Sequence, residues 1–306
     1  LHAKGSLGDW SATVIPPAGG ATITTITDPL GRLSERDEYL TAPTVTAPAD
    51  TFTGTWGVAG GSVAAARFGY DVRGNQISMS DAQNTTWTST FDLLGRVVAK
   101  TDPDAGVSSM RYDAVGNLLE TTDARKKTIS TTYDALRRKT GRFAAATTAQ
   151  SSGNQLASWV YDNANAAVTA MKYPIGHMTT ATSYAGGAAY IAQETNFNVF
   201  GQSLGEKITI PAATEGGVLG VTYTFKHTYS PTTGLPWDDI YPAAGGLPSE
   251  TVSHGYDGLD MPMTLGGADA AGNSYGYADG VTYTAYGTVD QEIISSQPST
   301  AILTNS

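Results

Sequence analysis

The sequence predicts an all-β chain assembled from short hairpins. Three observations carry this: the residue alphabet, a strict internal period, and turn chemistry that recurs at that period. The 306 residues include 43 threonines, 35 glycines, 14 prolines and 16 tyrosines, a mixture that favours strands punctuated by turns over long helices. With 40% hydrophobic and 15% charged residues, the chain is too apolar and too weakly charged to remain disordered. Its length suits two domains or one large all-β body.

The period is 21 residues. Tyr70-Asp71-Val72-Arg73-Gly74-Asn75, Phe91-Asp92-Leu93-Leu94-Gly95-Arg96, Tyr112-Asp113-Ala114-Val115-Gly116-Asn117 and Tyr133-Asp134-Ala135-Leu136-Arg137-Arg138 share one pattern: aromatic, Asp, two variable residues, Gly, then Arg or Asn. Arg137 is the one break at the Gly slot. Asp81, Asp102 and Asp123 each lie ten residues before the next aromatic, so every unit divides into two halves with room for one strand and one turn. Gly four residues after the aromatic reverses the chain at φ > 0 without steric cost, and the Asp carboxylate accepts hydrogen bonds from turn amides. Apolar residues such as Val97-Val98 and Leu118-Leu119 then build the next strand. One such unit is not stable alone, so the units must stack.

Taken in order, residues 1–66 form an N-terminal β segment. It has one degenerate copy, Thr27-Asp28-Pro29-Leu30-Gly31-Arg32-Leu33, and a Thr/Ala/Pro/Gly-rich stretch at 41–66 that reads as strand with loop. A helix is expected only around Ala64 to Phe68. Residues 67–142 hold the regular repeats, and residues 143–292 hold degenerate ones with longer loops. The degenerate copies are Tyr161-Asp162, Phe197-Asn198-Val199-Phe200-Gly201-Gln202, Tyr229 with Gly234, Tyr256-Asp257-Gly258-Leu259-Asp260, and Tyr286-Gly287. Glycine-rich runs at 185–187, 215–217 and 244–246 supply the loops, and residues 293–306 read as a polar tail.

This pattern resembles the YD repeats of the Rhs family, which includes bacterial polymorphic toxins, wall-associated Rhs proteins, the shell-forming components of Tc insecticidal toxins and animal teneurins. The family motif, Tyr-Asp-x-x-Gly-Arg-Leu followed by a spaced Asp-x-x-Gly, is matched at Tyr70 to Gly74, Phe91 to Arg96, Asp102 to Gly106 and Tyr112 to Asn117. The residues that carry the motif are Tyr70, Asp71, Gly74, Phe91, Asp92, Gly95, Arg96, Tyr112, Asp113, Gly116, Tyr133 and Asp134. The resemblance implies stacked hairpins forming a curved or spiralling sheet, part of a hollow shell. In toxins such a shell encloses a toxic segment, and in teneurins the repeats support adhesion. Family shells usually close with an Asp-Pro-x-Gly segment at which many members cut their own chain. Asp28-Pro29-Leu30-Gly31 is the local match here, but it lies inside an ordinary repeat, so a self-cleaving site is not supported.

No catalytic, cofactor-binding or metal-binding residue is expected. Zero cysteines remove disulfides, Cys-ligated zinc and thiol chemistry. They also favour the bacterial branch over disulfide-rich animal ectodomains. The four histidines, His2, His177, His227 and His254, lack metal-ligand spacing. Gly201-Gln202-Ser203-Leu204-Gly205 spells a nucleophile elbow, but Lys207-Ile208-Thr209-Ile210 then predicts a strand where a hydrolase needs a helix. The same five residues also fill the repeat slot after Phe197. Asp238-Asp239 and Asp257 with Asp260 are paired acids of the kind a glycosidase uses, but with 28 acids in the chain some pairing is expected by chance. Trp10, Trp56, Trp87, Trp159 and Trp237 read as packing residues ahead of a sugar platform.

A net charge of −10 argues against nucleic acid and anionic membranes as partners. No apolar run approaches the ~20 residues that span a bilayer. Residues 111–142 hold eight Lys and Arg against four acids, whereas 143–306 hold three against thirteen. That band reads as solvating charge ahead of a contact for an acidic cargo. The expected role is a non-catalytic shell fragment of a secreted or cell-surface bacterial protein, interior to a longer polypeptide. Its partners would be flanking segments of that parent, a complementary shell chain, or an enclosed toxin. An adhesion or glycan-binding module is the alternative, and a carbohydrate-active enzyme on a β scaffold stands behind it.

Overall fold

A computed structural model describes residues 2–4, 9–16, 20–47, 57–296 and 299–304. Trp56 and the centre of the Thr/Ala/Pro/Gly-rich stretch lie outside the described residues. The protein is nearly all β, as the alphabet predicts. It divides into two compact units, Leu1–Ser130 with Ala145–Thr147, and Thr131–Ala144 with Thr148–Ser306. The division between the units falls inside the regular repeats.

The first unit is an antiparallel ladder in which each strand pairs with the next. Asp9–Val14, Ile23–Thr27, Leu33–Tyr39 and Val63–Tyr70 follow one another, then Gln76–Ser80, Thr86–Phe91, Val97–Asp102, Gly106–Tyr112 and Leu118–Thr122. The helix expected at Ala64 to Phe68 is absent. Those residues lie in the strand Val63–Tyr70, with Val63 opposite Tyr39 and Arg67 opposite Glu35. Cross-strand pairing overrides the helix propensity of three consecutive alanines. Short strands Thr44–Thr46 and Gly57–Ala59 pair within the excursion that joins Leu33–Tyr39 to Val63–Tyr70.

In the second unit, one ladder runs through Lys139–Phe143, Gln155–Tyr161, Met178–Ala185, Ala188–Glu194, Glu206–Thr209 and Thr222–Thr224. Another runs from Lys226–Tyr229 through Pro236–Tyr241, Glu250–Tyr256, Pro262–Asp269, Ser274–Tyr283 and Val289–Ser296 to Ser299–Thr304. The run at 293–306 therefore contains paired strand and not only a tail. Gly186-Gly187 closes a hairpin, but as a two-residue turn between the paired Ala185 and Ala188 and not as the longer loop expected of that run. By contrast, the glycines at 216–217 sit in a helical segment, Ala212–Leu219, kinked where Gly216 takes φ 70°.

The core is thin. Among the described residues the buried apolar side chains are Ile26, Ala65, Met171 and Phe197, while Ser130 and Thr179 are fully buried. Cross-strand threonine pairs add polar links between neighbours, with Oγ1 atoms 2.7 Å apart at Thr13 and Thr24, 2.8 Å at Thr122 and Thr128, and 2.9 Å at Thr132 and Thr140. A sheet with so few buried apolar residues must draw much of its order from its turns and neighbour contacts.

Candidate functional site

The repeat turn is a small hydrogen-bonded device, built the same way in every strict copy. At Asp92 the backbone N–H donates to the Arg96 carbonyl at 2.9 Å, and the Gly95 N–H donates to the Asp92 carbonyl at 3.1 Å. One carboxylate oxygen of Asp92 accepts from the amides of Leu94 and Arg96 at 2.9 and 3.0 Å, and the other accepts from Arg96 Nε at 2.6 Å. Asp134 with Arg138, and Asp28 with Arg32, repeat this, each with 2.7 Å from Nε to the carboxylate. Asn75 and Asn117 replace the guanidinium by donating Nδ2 to Asp71 and Asp113 at 2.9 and 2.7 Å. The glycine slot requires positive φ: Gly74, Gly95 and Gly116 take 90°, 76° and 99°, and Arg137 takes 64° although it carries a side chain. Asp81 and Asp123 build the second turn on the same plan, with Asn84 and Lys126 at positive φ.

The arginine slot also reaches out of its own unit. The Arg32 guanidinium lies 4.7 Å from the centre of the Tyr70 ring, Arg96 lies 4.7 Å from that of Tyr112, and Arg138 lies 4.3 Å from that of Tyr161. Arg96 Nη1 further donates to the Asp113 carbonyl at 3.0 Å, and Arg138 forms an ion pair with Asp162. Each clasp thus covers the aromatic of the following unit and ties down that unit's turn. Where the copies degenerate, the principle persists with other chemistry. His177 stacks on Phe197 at 4.1 Å between ring centres, and Gln202 Nε2 donates to the Gly234 carbonyl at 2.8 Å.

Several degenerate copies differ from their sequence reading. At Tyr161-Asp162 the turn is split by an insertion. Asp162 receives the distant Gly176 amide at 2.7 Å and donates its own N–H to the His177 carbonyl at 3.0 Å. The last copy centres on Tyr283, not Tyr286: Thr284 donates to the Thr288 carbonyl and Gly287 to the Thr284 carbonyl. A further turn, Asp269-Ala270-Ala271-Gly272-Asn273, escaped sequence reading because Ala268 fills its aromatic slot. Its Asp269 still accepts from Ala271, Asn273 and Tyr275. Asp257 and Asp260 also form a turn, with Asp257 accepting the Leu259 and Met261 amides and Asp260 at φ 62°.

The chemically tempting residues are engaged. Ser203 Oγ donates to Glu194 Oε2 at 2.5 Å and accepts the Gly205 amide at 3.1 Å, and the chain continues into the strand Glu206–Thr209 as expected. Asp239 receives His227 Nδ1 at 2.6 Å and His254 Nε2 at 2.9 Å, a cluster the sequence did not suggest because its members lie on three different strands. Among the described residues no group of His, Cys, Asp or Glu is arranged to hold a metal ion. In the cationic band, Arg111 pairs with Glu120, Arg125 with Asp123, and Arg138 with Asp134. Trp10 and Trp237 are about half exposed, at 52% and 54%.

The turns make stability depend on pH. Asp28 is held below its ordinary value of 3.8 chiefly by the Arg32 side chain, Asp71 by Asn75, and Asp92 by the Arg96 backbone and side chain. Arg138 lowers Asp162 to about 2, and the Asn273 side chain and amide lower Asp269 to about 2. Arg111 and the Thr147 amide bring Glu120 to about 2. Groups lowered on folding contribute stability above their unfolded pKa and lose it as pH falls through the folded one. The urea midpoint should hold from pH 7 to about pH 5 and then fall between about pH 4 and pH 2. Burial raises Glu194, which opposes this trend, but it is one group against several. A midpoint that rises on acidification would contradict the clasp electrostatics.

Comparison with known proteins adds three findings. The RHS Repeat family profile matches residues 70–107 and 112–152. No curated protein matches the chain in sequence. In structure, the chain is similar to the TcdB2-TccC3 crystal structure at 15% identity and TM-score 0.63, covering 90% of this chain and 13% of that one. It is also similar to the Photorhabdus luminescens Tc holotoxin pore carrying a TccC3 mutation, at 14% identity and TM-score 0.64, covering 94% and 14%. TcdB2-TccC3 without its hypervariable C-terminal region matches at 15% identity and TM-score 0.58, covering 89% and 15%. The chain therefore shares their fold over nearly all its length while spanning about a seventh of theirs.

Proposed function

We propose, starting from a chain that carries Rhs repeats, that it is a length of shell wall that encloses or scaffolds a cargo encoded elsewhere in its parent. The observation that carries this reading is the unit-to-unit clasp. Arg32, Arg96 and Arg138 each cover the next unit's aromatic, so wherever the slot holds arginine neighbouring units are tied to each other directly, and few apolar side chains are buried among the described residues. A barrier can be built that way to any length, whereas a catalytic pocket needs side chains converging from several elements. The similar solved assemblies are Tc toxin complexes, and a toxin-enclosing role for this chain follows by analogy with them. Among the described residues no helix is long and apolar enough to cross a membrane. The natural setting of such a wall is a secreted or surface-exposed bacterial protein. Its partners are the neighbouring segments of the parent and whatever they enclose.

Electron microscopy of the parent polypeptide tests the wall directly. A hollow particle is expected, with this chain in its wall and a protease-resistant segment inside, and a solid globular density at this position would overturn the reading. The wall also needs no nucleophile. Purified chain should hydrolyse neither acyl esters nor bacterial polysaccharides above background, and Ser203→Ala should leave any residual rate unchanged. A loss of several orders of magnitude on that substitution would restore the hydrolase.

A further inference from the structure

In the second unit, Thr222–Thr224 and Lys226–Tyr229 run on almost without a break, but they are paired on different edges. Glu206–Thr209 holds the first stretch: Phe225 exchanges both backbone hydrogen bonds with Glu206, at 2.8 and 3.1 Å, and the Ile210 N–H donates to the Val221 carbonyl at 3.0 Å. Pro236–Tyr241 holds the second, beginning with Ile240 opposite Lys226. Alternate residues of an antiparallel strand turn their amides to opposite edges, so Thr222 and Thr224 face the side that Pro236–Tyr241 takes further along. Among the described residues, neither makes a backbone hydrogen bond on that edge. Continuing the register would set Pro242 opposite Thr224, and proline has no N–H to give. The chain leaves the pairing there and forms a tip at 243–248. Ala244 and Leu247 close it with two backbone hydrogen bonds of 3.2 and 2.9 Å, and Gly245 and Gly246 take φ 60° and 87°.

Between that edge and the tip lies a cleft of about 540 Å³, walled by Val221 and Tyr223 on one side and by the tip on the other, with no charged residue in its lining. Where the strands part, the rings of Phe225 and Tyr241 meet edge to face at 6.1 Å between centres. Exposed edges are ordinarily blunted by charge, proline or a bulge, and Thr222-Tyr223-Thr224 carries none of these. Unpaired amides at strand spacing call for another peptide backbone, and uncharged walls call for aliphatic side chains. Residues 143–306 hold three Lys and Arg against thirteen acids, which disfavours an acidic segment. We propose that this cleft is a docking slot for an extended, uncharged aliphatic segment of a separate polypeptide, which adds as an antiparallel strand along Thr222–Thr224 where Pro236–Tyr241 breaks off. This goes beyond the wall reading and does not depend on it.

The probe is a fluorescein-labelled peptide that alternates valine and threonine, titrated with the full chain and followed by fluorescence anisotropy. Saturable binding is expected. The same peptide N-methylated throughout keeps its side chains but loses its backbone donors, and should bind at least ~10-fold more weakly. Thr224→Pro removes an edge N–H that Glu206–Thr209 does not use, so the variant should keep its circular dichroism spectrum and bind the peptide at least ~10-fold more weakly. If it fails to fold, Leu247→Asp decides in its place: it puts a charge on a wall residue that is 73% exposed, and should weaken binding by a similar factor. No saturable binding, binding indifferent to N-methylation, or a folded variant that binds as tightly as the original chain would each overturn the proposal. Self-association of the chain that Thr224→Pro abolishes, with no binding of the peptide, would also overturn it and make a second copy the occupant.

Discussion

Gly205→Ala is expected to be among the most damaging single substitutions in the chain, lowering stability by about 3 kcal/mol or more. Gly205 has φ 137°, and a Cβ there would lie 2.2 Å from the Phe225 carbonyl oxygen and 2.8 Å from Lys226 Cα. Those atoms cannot easily yield. Phe225 exchanges two backbone hydrogen bonds with Glu206, the His227 N–H donates to the Leu204 carbonyl, and the Thr195 N–H donates to Gly205 itself. Gly187→Ala is the control: φ is also positive, at 80°, but nothing lies within 4 Å of its Cβ, so the cost is about 1 kcal/mol. Urea denaturation of the two variants separates close approach from dihedral strain, and equal losses would disprove the approach. The second glycine of the Gly-x-Ser-x-Gly sequence thus serves backbone contact between strands, not the presentation of a nucleophile.

Gly95→Val should cost about 1–2 kcal/mol for a different reason. A Cβ at Gly95 meets only Asn75 Oδ1 at 3.6 Å, so space is available and the penalty comes from forcing a β-branched residue to φ 76°. Gly153→Val should cost less, because Gly153 does not have a positive φ and its nearest neighbour would be Ser151 Oγ at 3.8 Å. The reciprocal change, Arg137→Gly, relieves the one strict copy that holds a side chain at positive φ, and its urea midpoint should rise. If Gly95→Val and Gly153→Val lost equal stability, the turn conformation would not be the source of the effect.

The turns were legible in the sequence because their chemistry is local. Asp71, Asp92, Asp113 and Asp134 bond to amides two and four residues ahead, well within the reach of a motif. Contacts that depend on strand pairing were not. Nothing near Arg32 reveals that it lies over Tyr70, 38 positions away, because the intervening excursion had to be folded aside first. The Asp162 turn was hidden for the same reason, its glycine being Gly176 on the far side of an insertion. The Asp269 turn was hidden by reliance on the aromatic. Asp-x-x-Gly-Asn alone was sufficient there, since the aspartate does the bonding and the ring belongs to the neighbouring clasp. The expected helix at Ala64 failed because propensity was read without the partner strand Leu33–Tyr39.

The clasp has a consequence for how such a chain can change over generations. Because Arg96 engages only the adjoining unit, and each 21-residue unit returns the backbone to the same rim and the same face, excising residues 91–111 would bring Tyr112 into the place of Phe91 with its turn intact. Duplication or loss of whole units is therefore a neutral edit to local geometry, unlike almost any other insertion into a sheet. Each added unit lengthens the array by two strands, about 9.6 Å, without redesign of what came before. Capacity becomes a matter of copy number, open to adjustment by recombination between repeats, while the wording of each copy remains under the control of a single aspartate and the residue four places beyond it.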